Sequence, residues 1–562
     1  MKNKYTIGID YGTLSARAVL TSVATGEVVC DSVYEYPHAV MDTHLCGGIP
    51  LPPDFALQHP RDYIEAFART ITDVIARSGV DAEDIIGVGI DFTCCTLLPV
   101  YADGTPLCFS EKFKNEPHAY VKLWKHHSAQ PYADRFNEVL AEQAPELLAR
   151  YGGKTSAEWL FPKIMETLDK APDVYNEAAY FVEASDFLSW LLTSKHTVGY
   201  AMAAYKALYT ENGYPDAKLL ASLDALLENV VADKLDAPVV PLGEAVGCVS
   251  ADSRERFGVS ADAPWLKEGT AVASPIPDAH CSAPAVSAIN SGDMFASFGT
   301  SSNYMLLSDK FGTIPGICGV VDGGVISGYY AYESGLCCFG DHFAWAAQNL
   351  CGAEYLSEAN EKGISPIALL SQKAELLAPG ESGVMALNWW NGNRNILIDS
   401  SLSGLFVGMT LRTRPEELFR ALVEANAFGT RVILENFEAS GVKIENFVAV
   451  GGITRKSPFV MQLLADVLGK EIHVSGYLHS AALGASIYAA AAAGKDVGGY
   501  SSIEEACEYM AVASDAVYKP NARVKAVYDE LYAEYSKLFD YFGRGGNDVM
   551  KRLREISRKA KS

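Results

Sequence analysis

Tyr5-Thr6-Ile7-Gly8-Ile9-Asp10-Tyr11-Gly12-Thr13-Leu14-Ser15-Ala16-Arg17-Ala18-Val19-Leu20 is the stretch that decides the fold. The apolar run from Tyr5 to Ile9 reads as a strand, Tyr11 to Ser15 as a glycine turn, and Arg17 to Val23 as a returning strand, which together make a hairpin with a polar tip. A third strand is expected over Val28 to Tyr36, a helix over Pro60 to Ala76 with Asp62 in its first turn, and a buried strand over Ile85 to Phe92. Glycine in the tip lets backbone N–H groups approach an anion with no Cβ in the way; Asp10 precedes it, Thr13 and Ser15 offer hydroxyls, and Arg17 adds a cation. Asp10 suits a magnesium ion held through its waters, because that ion keeps several waters and takes few carboxylates. Turn chemistry alone serves an ordinary exposed hairpin equally well.

The pattern returns later in the chain. Gly299-Thr300-Ser301-Ser302 follows the apolar Met294 to Phe298, and Glu445-Asn446-Phe447-Val448-Ala449-Val450-Gly451 echoes Glu83-Asp84-Ile85-Ile86-Gly87-Val88-Gly89. Two echoes in the same order point to a duplicated α/β chain whose later copy carries an insertion between hairpin and strand. A length of 562 residues fits two large lobes, since single cores stop growing beyond ~250 to 300 residues. The boundary is expected in the Pro- and Ala-rich stretch between Pro275 and Asn290, giving lobes over 1–284 and 285–514 and peripheral helices over 515–562. Two such hairpins facing each other would clasp a phosphate chain from both sides. The paired Gly451-Gly452, between a buried strand and a helix expected over Pro458 to Leu468, would let a flat base slide against bare backbone, although a plain strand-to-helix turn accounts for them too.

Composition narrows the partners. With 49% hydrophobic and 20% charged residues the chain is a folded one, and its net charge of -23 argues against a nucleic-acid partner. A polyphosphate must then be held by local amides, a cation and a few basic side chains. Twelve cysteines are scattered, with adjacent pairs at Cys94-Cys95 and Cys337-Cys338 and no C-x-x-C, so reduced core thiols are expected rather than a disulfide or metal framework. The apolar run Ala481 to Ala493 is too short and too rich in alanine for a bilayer, and Met1 to Lys4 leave no room for a secretory signal, so a cytoplasmic protein is expected. Gly153-Lys154-Thr155 looks like the end of a Walker loop, but Leu148 stands where that pattern needs glycine. The H-R-D and D-F-G motifs of protein kinases are missing.

Asp10-Tyr11-Gly12-Thr13-x-Ser15-x-Arg17, Phe298-Gly299-Thr300-Ser301, and Gly451-Gly452 through Gln462-x-x-Ala465-Asp466 together resemble the FGGY carbohydrate kinases, over a span from about Tyr5 to about Gly494. That resemblance implies two duplicated ribonuclease H-like, actin-like ATPase lobes with ATP and Mg2+ in a cleft between them. Gly89-Ile90-Asp91-Phe92-Thr93, Pro117 through His127, Tyr151-Gly152-Gly153-Lys154 and Asn388 through Arg394 are most similar to members that phosphorylate the 5-hydroxyl of L-ribulose, as in L-arabinose catabolism. It further implies that Asp278, in Pro277-Asp278-Ala279-His280, is the general base and also touches the sugar, and that Cys94, Trp124, Lys206 and Glu333 hold the ketopentose. Asp10, Gly12, Thr13, Ser15, Arg17, Gly299, Thr300, Ser301, Gly451, Gly452, Lys456 and Gln462 would bind the nucleotide. Taken alone, Trp124 reads as core, Lys206 as a solvated charge and Glu333 as a buried hydrogen-bonding partner.

His280 is a rival base by its intrinsic pKa, but it reads better as packing. Lys125, His126 and His127 read as structural, because neighbouring side chains diverge. Several residues depart from the family pattern: Pro275 where glycine is common, Pro277 beside the aspartate, Cys94 in place of alanine, Leu336 in place of glutamine, and Asn303-Tyr304 in place of Cys-His. They bear on sugar preference and not on phosphate chemistry. The rivals are a kinase for D-ribulose, xylulose or another polyol, an actin-like or chaperone-type ATPase switch, and a sugar sensor that has lost catalysis, against which the retained Asp278 counts. The expected partners are a small ketopentose and ATP, with no nucleic acid, no membrane, and room for a homodimer.

Overall fold

The opening hairpin is built from β1 (Tyr5–Tyr11) and β2 (Ser15–Ser22), paired antiparallel with Asp10 opposite Arg17. The computed structural model describes residues 3–561. β3 (Val28–Glu35) continues the antiparallel run beside β2, and β4 (Ile85–Phe92) lies parallel to β1 on its other side. Between β3 and β4 runs the helix Pro60–Ser78, started by a proline in its first turn and a His59 cap, and ended by Gly79 in the left-handed conformation. Every residue of β4 is buried, as a central parallel strand requires. β5 (Ala245–Cys248) and β6 (Ala271–Ala273) complete the sheet in the order β5-β6-β4-β1-β2-β3.

One face of this sheet is covered by the alanine-rich helix Ser480–Ala493, at unusually close range. A Cβ on Gly8 would lie 1.8 Å from the Ala482 carbonyl oxygen, one on Gly89 2.0 Å from that of Ala485, and one on Gly87 2.6 Å from that of Ala489. From the helix side, a Cβ on Gly484 would lie 1.7 Å from the Cys281 carbonyl oxygen. Glycine and alanine thus let helix backbone rest on strand backbone. Among the described residues no helix is long and apolar enough to cross a membrane.

The later sheet repeats the first. β7 (Asp293–Phe298) and β8 (Ser302–Ser308) form the hairpin, β9 (Tyr330–Leu336) lies beyond β8, and β10 (Asn446–Val450) runs parallel to β7. β11 (Ile472–Val474) pairs parallel with β10 and β12 (Ala516–Tyr518) antiparallel with β11. Apart from an added edge strand, Gly319–Asp322, beside β9, the order β9-β8-β7-β10-β11-β12 matches the first sheet position for position, hairpin to hairpin and parallel partner to parallel partner. The duplicated α/β fold expected from the two echoes is present, and the insertion in the later copy is filled by several helices ending with Pro415–Ala439.

Contacts divide the chain into two units. One comprises the residues up to Ile289, Val320–Ala331 and His479–Ala513; the other comprises Asn290–Gly319, Tyr332–Leu478 and the residues from Ser514 on. The span 285–514 is therefore not one compact body: 479–513 packs on the first sheet, because the Ser480–Ala493 helix fits its glycines. The chain after 514, expected as peripheral helices, supplies β12 and the helix Ala522–Gly543, which buries Tyr528, Tyr535 and Phe539. Within the first unit a second apolar cluster, around Phe136, Phe161, Ile164 and Leu208, supports a small sheet that includes Leu97–Val100, Val121–Lys122 and Tyr180–Glu183. None of the twelve cysteines is in a disulfide.

Candidate active site

β1 and β4 carry the same tripeptide, Gly8-Ile9-Asp10 and Gly89-Ile90-Asp91, and pair in register, so Asp10 and Asp91 are neighbours across the strands. The residues that follow, Tyr11 and Phe92, stack with centroids 4.8 Å apart. A short strand, Ile276–Pro277, pairs with the end of β4 and sets Asp278 at the start of the helix Asp278–Ala285. Asp278 accepts the N–H of Ala279 at 2.7 Å. Asp91 is completely buried and neither of its oxygens has a hydrogen-bond donor. Burial, and then the charges of Asp10 and Asp278, push its carboxyl well above the usual carboxylate range. Asp10 is half-buried and meets Arg17 at 3.3 Å.

Four of the residues expected at the sugar end lie in the same unit. Trp124 donates its indole N–H to the Thr13 hydroxyl at 3.1 Å, tying a sugar candidate to the phosphate turn. Gln58 donates to the Thr13 carbonyl at 2.7 Å and accepts from the Tyr63 hydroxyl at 2.6 Å, which steadies the tip. Lys206, at the end of the helix Tyr200–Lys206, holds its ammonium 5.4 Å from the Trp159 ring centre. The Cys94 thiol is pushed up chiefly by its hydrogen bond with Cys95 and by burial, with the Lys206 charge acting the other way. His280 is buried with its ring 4.2 Å from that of Tyr205, in a packing role. His126 turns to Glu166 and His127 to Glu158, so these neighbours diverge.

In the second unit, Gly299 closes its turn by donating to the Ser301 carbonyl at 2.9 Å, as Gly12 does to the Ser15 carbonyl at 3.0 Å. A Cβ on Gly12 would meet nothing closer than the Ser15 oxygen at 3.4 Å, and one on Gly299 nothing closer than the Ser301 oxygen at 3.9 Å. Neither has a positive φ. These turns do not need glycine for their own conformation; glycine keeps the space above them open. Gly451 is the opposite case, with φ 109° and a Cβ position 2.4 Å from the Phe298 carbonyl oxygen. Gly452 opens the short helix Gly452–Lys456 and would have no atom within 4 Å of a Cβ, which is the bare surface a base would need. Lys456 is exposed at the end of that helix. Gln462 is engaged by the protein itself, donating to Asp466 at 3.0 Å and to the Lys519 carbonyl at 2.9 Å. Glu333 is buried on β9.

Among the described residues only His38, Cys46 and His59 bring three ligand-type atoms within 4.8 Å of one another. The two imidazoles stack 4.5 Å apart at 18°, so their in-plane lone pairs run side by side and do not converge. His38 Nδ1 lies 2.6 Å from Asp62, and His59 Nδ1 accepts the Arg61 N–H, so this group reads as packing and helix capping. Asp91 is the residue that sequence reasoning missed, since its segment served only as a mark of family likeness. The signal was present in the repeated Gly-Ile-Asp.

Residues 5–269 match the N-terminal domain and residues 294–493 the C-terminal domain of the FGGY family of carbohydrate kinases. The chain belongs to that family. It is 46% identical to a ribulokinase of Halalkalibacterium halodurans over 558 residues, covering 99% of this chain and 98% of that one. With a ribulokinase of Bacillus licheniformis the identity is 47% over 545 residues, covering 97% of each. Among solved structures, a xylulose kinase from Rhodospirillum rubrum superposes with a TM-score of 0.76 at 22% identity, covering 95% of this chain and 98% of the other. A gluconate kinase from Lactobacillus acidophilus does so with 0.78 at 20% identity, covering 97% and 99%. At that identity these two speak for the fold alone.

Proposed function

We propose that the protein is an ATP-dependent kinase that phosphorylates the 5-hydroxyl of L-ribulose, giving L-ribulose 5-phosphate and ADP, in the cytoplasmic catabolism of L-arabinose. The observation that carries this reading is the near-full-length identity of 46 to 47% with ribulokinases, joined to a site with Asp278 beside the Asp10–Asp91 pair.

In this reading Asp278 takes the proton from the attacking hydroxyl, whose oxygen bonds to the terminal phosphorus while the bond to the bridging oxygen of ADP breaks. Cys94, Trp124, Lys206 and Glu333 orient the sugar. The two glycine turns, with Thr13, Ser15, Arg17, Thr300 and Ser301, take the phosphate oxygens. Gly451 and Gly452 carry the base, Lys456 contributes a cation nearby, and Gln462 acts at one remove through Asp466. Magnesium fits the donor set, because the buried Asp91 oxygens have no protein donor and Asp10 stands next to them. Asp10, through water, and Asp91 would hold it, and a bound ion would neutralise charge on the phosphates.

The test is a coupled ADP-release assay across L-ribulose, D-ribulose and the xyluloses, with wild type and Asp278→Asn. L-ribulose is expected to give the highest kcat/KM, and the variant to lose at least about a hundredfold in kcat. No sugar-dependent turnover with L-ribulose refutes the substrate, and an active Asp278→Asn refutes the base.

A further inference from the structure

Lys163 points from the helix Leu160–Lys170 into the core of the first unit, where it has no exposed surface. Its ammonium donates to the carbonyl of Cys95, to that of Leu123 at 2.8 Å and to that of Lys122 at 3.3 Å. Those carbonyls belong to two separate stretches of backbone. One follows Cys94 directly, and the other leads directly into Trp124.

The first stretch needs support. Cys95 has φ 65°, a left-handed conformation that a residue with a side chain keeps only when its surroundings hold it there. Lys163 holds it by the carbonyl. From strand Tyr180–Glu183, Glu183 holds the next residue by accepting the Thr96 N–H at 2.9 Å. Thr96 in turn donates its hydroxyl to the Thr93 carbonyl at 2.6 Å. Burial disfavours both charges, lowering the Lys163 pKa and raising that of Glu183 to about 7, while each charge favours the other.

Burying two opposite charges is a poor way to gain stability, since apolar side chains of equal volume often do as well. What a hydrocarbon cannot do is converge three carbonyls from two segments on one point. We infer that Lys163 and Glu183 are positioning residues for the sugar end of the site, fixing the Cys94 turn and the Trp124 segment relative to each other before sugar arrives. This rests on the reading that Cys94 and Trp124 face the sugar.

The experiment uses the full chain with Lys163→Met, which keeps the stem and removes the ammonium, and with Glu183→Ala and Glu183→Gln. Two quantities are read: KM for L-ribulose against KM for ATP, and amide hydrogen exchange of peptides spanning 92–97 and 121–126 with no ligand present. Lys163→Met is expected to raise the sugar KM about 10- to 100-fold, leave the ATP KM within about twofold, and speed exchange in both peptides. Glu183→Ala should loosen 92–97 alone, and Glu183→Gln, whose amide oxygen accepts the same N–H, should restore both sugar KM and exchange. The inference fails if Lys163→Met leaves exchange and sugar KM unchanged, or raises both KM values together. If Lys163→Met does not fold, the Glu183 pair decides by the same readouts, and equal behaviour of Ala and Gln overturns the inference. Faster exchange in both peptides with no wild-type turnover of L-ribulose would sink the substrate assignment and leave the positioning role standing.

Discussion

Gly12 and Gly8 stand four residues apart in one hairpin, and replacing each by alanine should have opposite consequences. At Gly8 the new Cβ would lie 1.8 Å from the Ala482 oxygen and 2.6 Å from the Ser486 nitrogen, backbone atoms on a packed helix with no rotamer to change. A carbon-to-oxygen contact relaxes only near ~3.2 Å, so strand and helix must part by more than an ångström, a typical overpacking strain of about 1 to 3 kcal/mol or more. At Gly12 the nearest atom is 3.4 Å away and φ is not positive, so Gly12→Ala should fall within about 0.5 kcal/mol of wild type. The methyl group instead occupies the approach to the turn amides. Losing one hydrogen bond to a charged phosphate, worth about 1.5 kcal/mol, raises KM for ATP roughly tenfold. Gly299→Ala should behave in the same way, its nearest atom being 3.9 Å off. Urea unfolding gives the stabilities, and initial rates at saturating sugar give KM for ATP. A Gly12→Ala protein as unstable as Gly8→Ala, or one with unchanged KM for ATP, would refute this account of the turn.

Three further outcomes are expected. Asp91→Asn replaces a carboxyl whose charged form burial disfavours by a neutral isostere, so unfolding free energy should change by less than about 1 kcal/mol while magnesium-dependent turnover falls; a large loss of stability would show that the charged form matters to the fold. His342, fully buried and donating from Nδ1 to the Asn426 side-chain oxygen at 2.9 Å, has its pKa lowered to about 4 by burial. The unfolded chain therefore takes up this proton first as pH falls: the contribution is complete above about 6.5 and about 3 kcal/mol is lost by pH 4, and His342→Gln should flatten the stability profile by one proton over that window. Arg420 donates to Glu424 at 2.9 Å, to the Ala374 carbonyl at 2.8 Å and to the Tyr528 hydroxyl at 2.9 Å. Arg420→Met strands a buried carboxylate and should cost about 3 to 5 kcal/mol in thermal or urea unfolding, much of it recovered by adding Glu424→Leu.

The parts of the fold that lie in short sequence were legible. The hairpin at Asp10, the strand at Ile85, the echo at Gly299 and the helix Pro458–Leu468 follow from apolar runs, turn glycines and caps within a dozen residues. Asp91 was not legible as a site residue, because its meaning comes from strand register: only when Gly8 meets Gly89 does Asp10 meet Asp91. Lys163 and Glu183 were missed for a related reason. A lysine on a helix reads as solvated, and nothing nearby in sequence shows that three carbonyls from residues 95, 122 and 123 surround it. The alanine-rich run near the end was correctly set aside as a membrane span, yet its docking site lies almost the whole chain away, in the glycines of β1 and β4.

That docking sets a timetable for the newborn protein. The first unit takes in His479–Ala513, so one face of its sheet stays uncovered until about nine-tenths of the chain has left the ribosome. The amino-terminal half cannot finish folding first and wait for its partner. During synthesis the bare strand face around Gly8 and Gly89 is left to whatever holds nascent chains, and a fragment ending near residue 289 would carry that exposed face permanently.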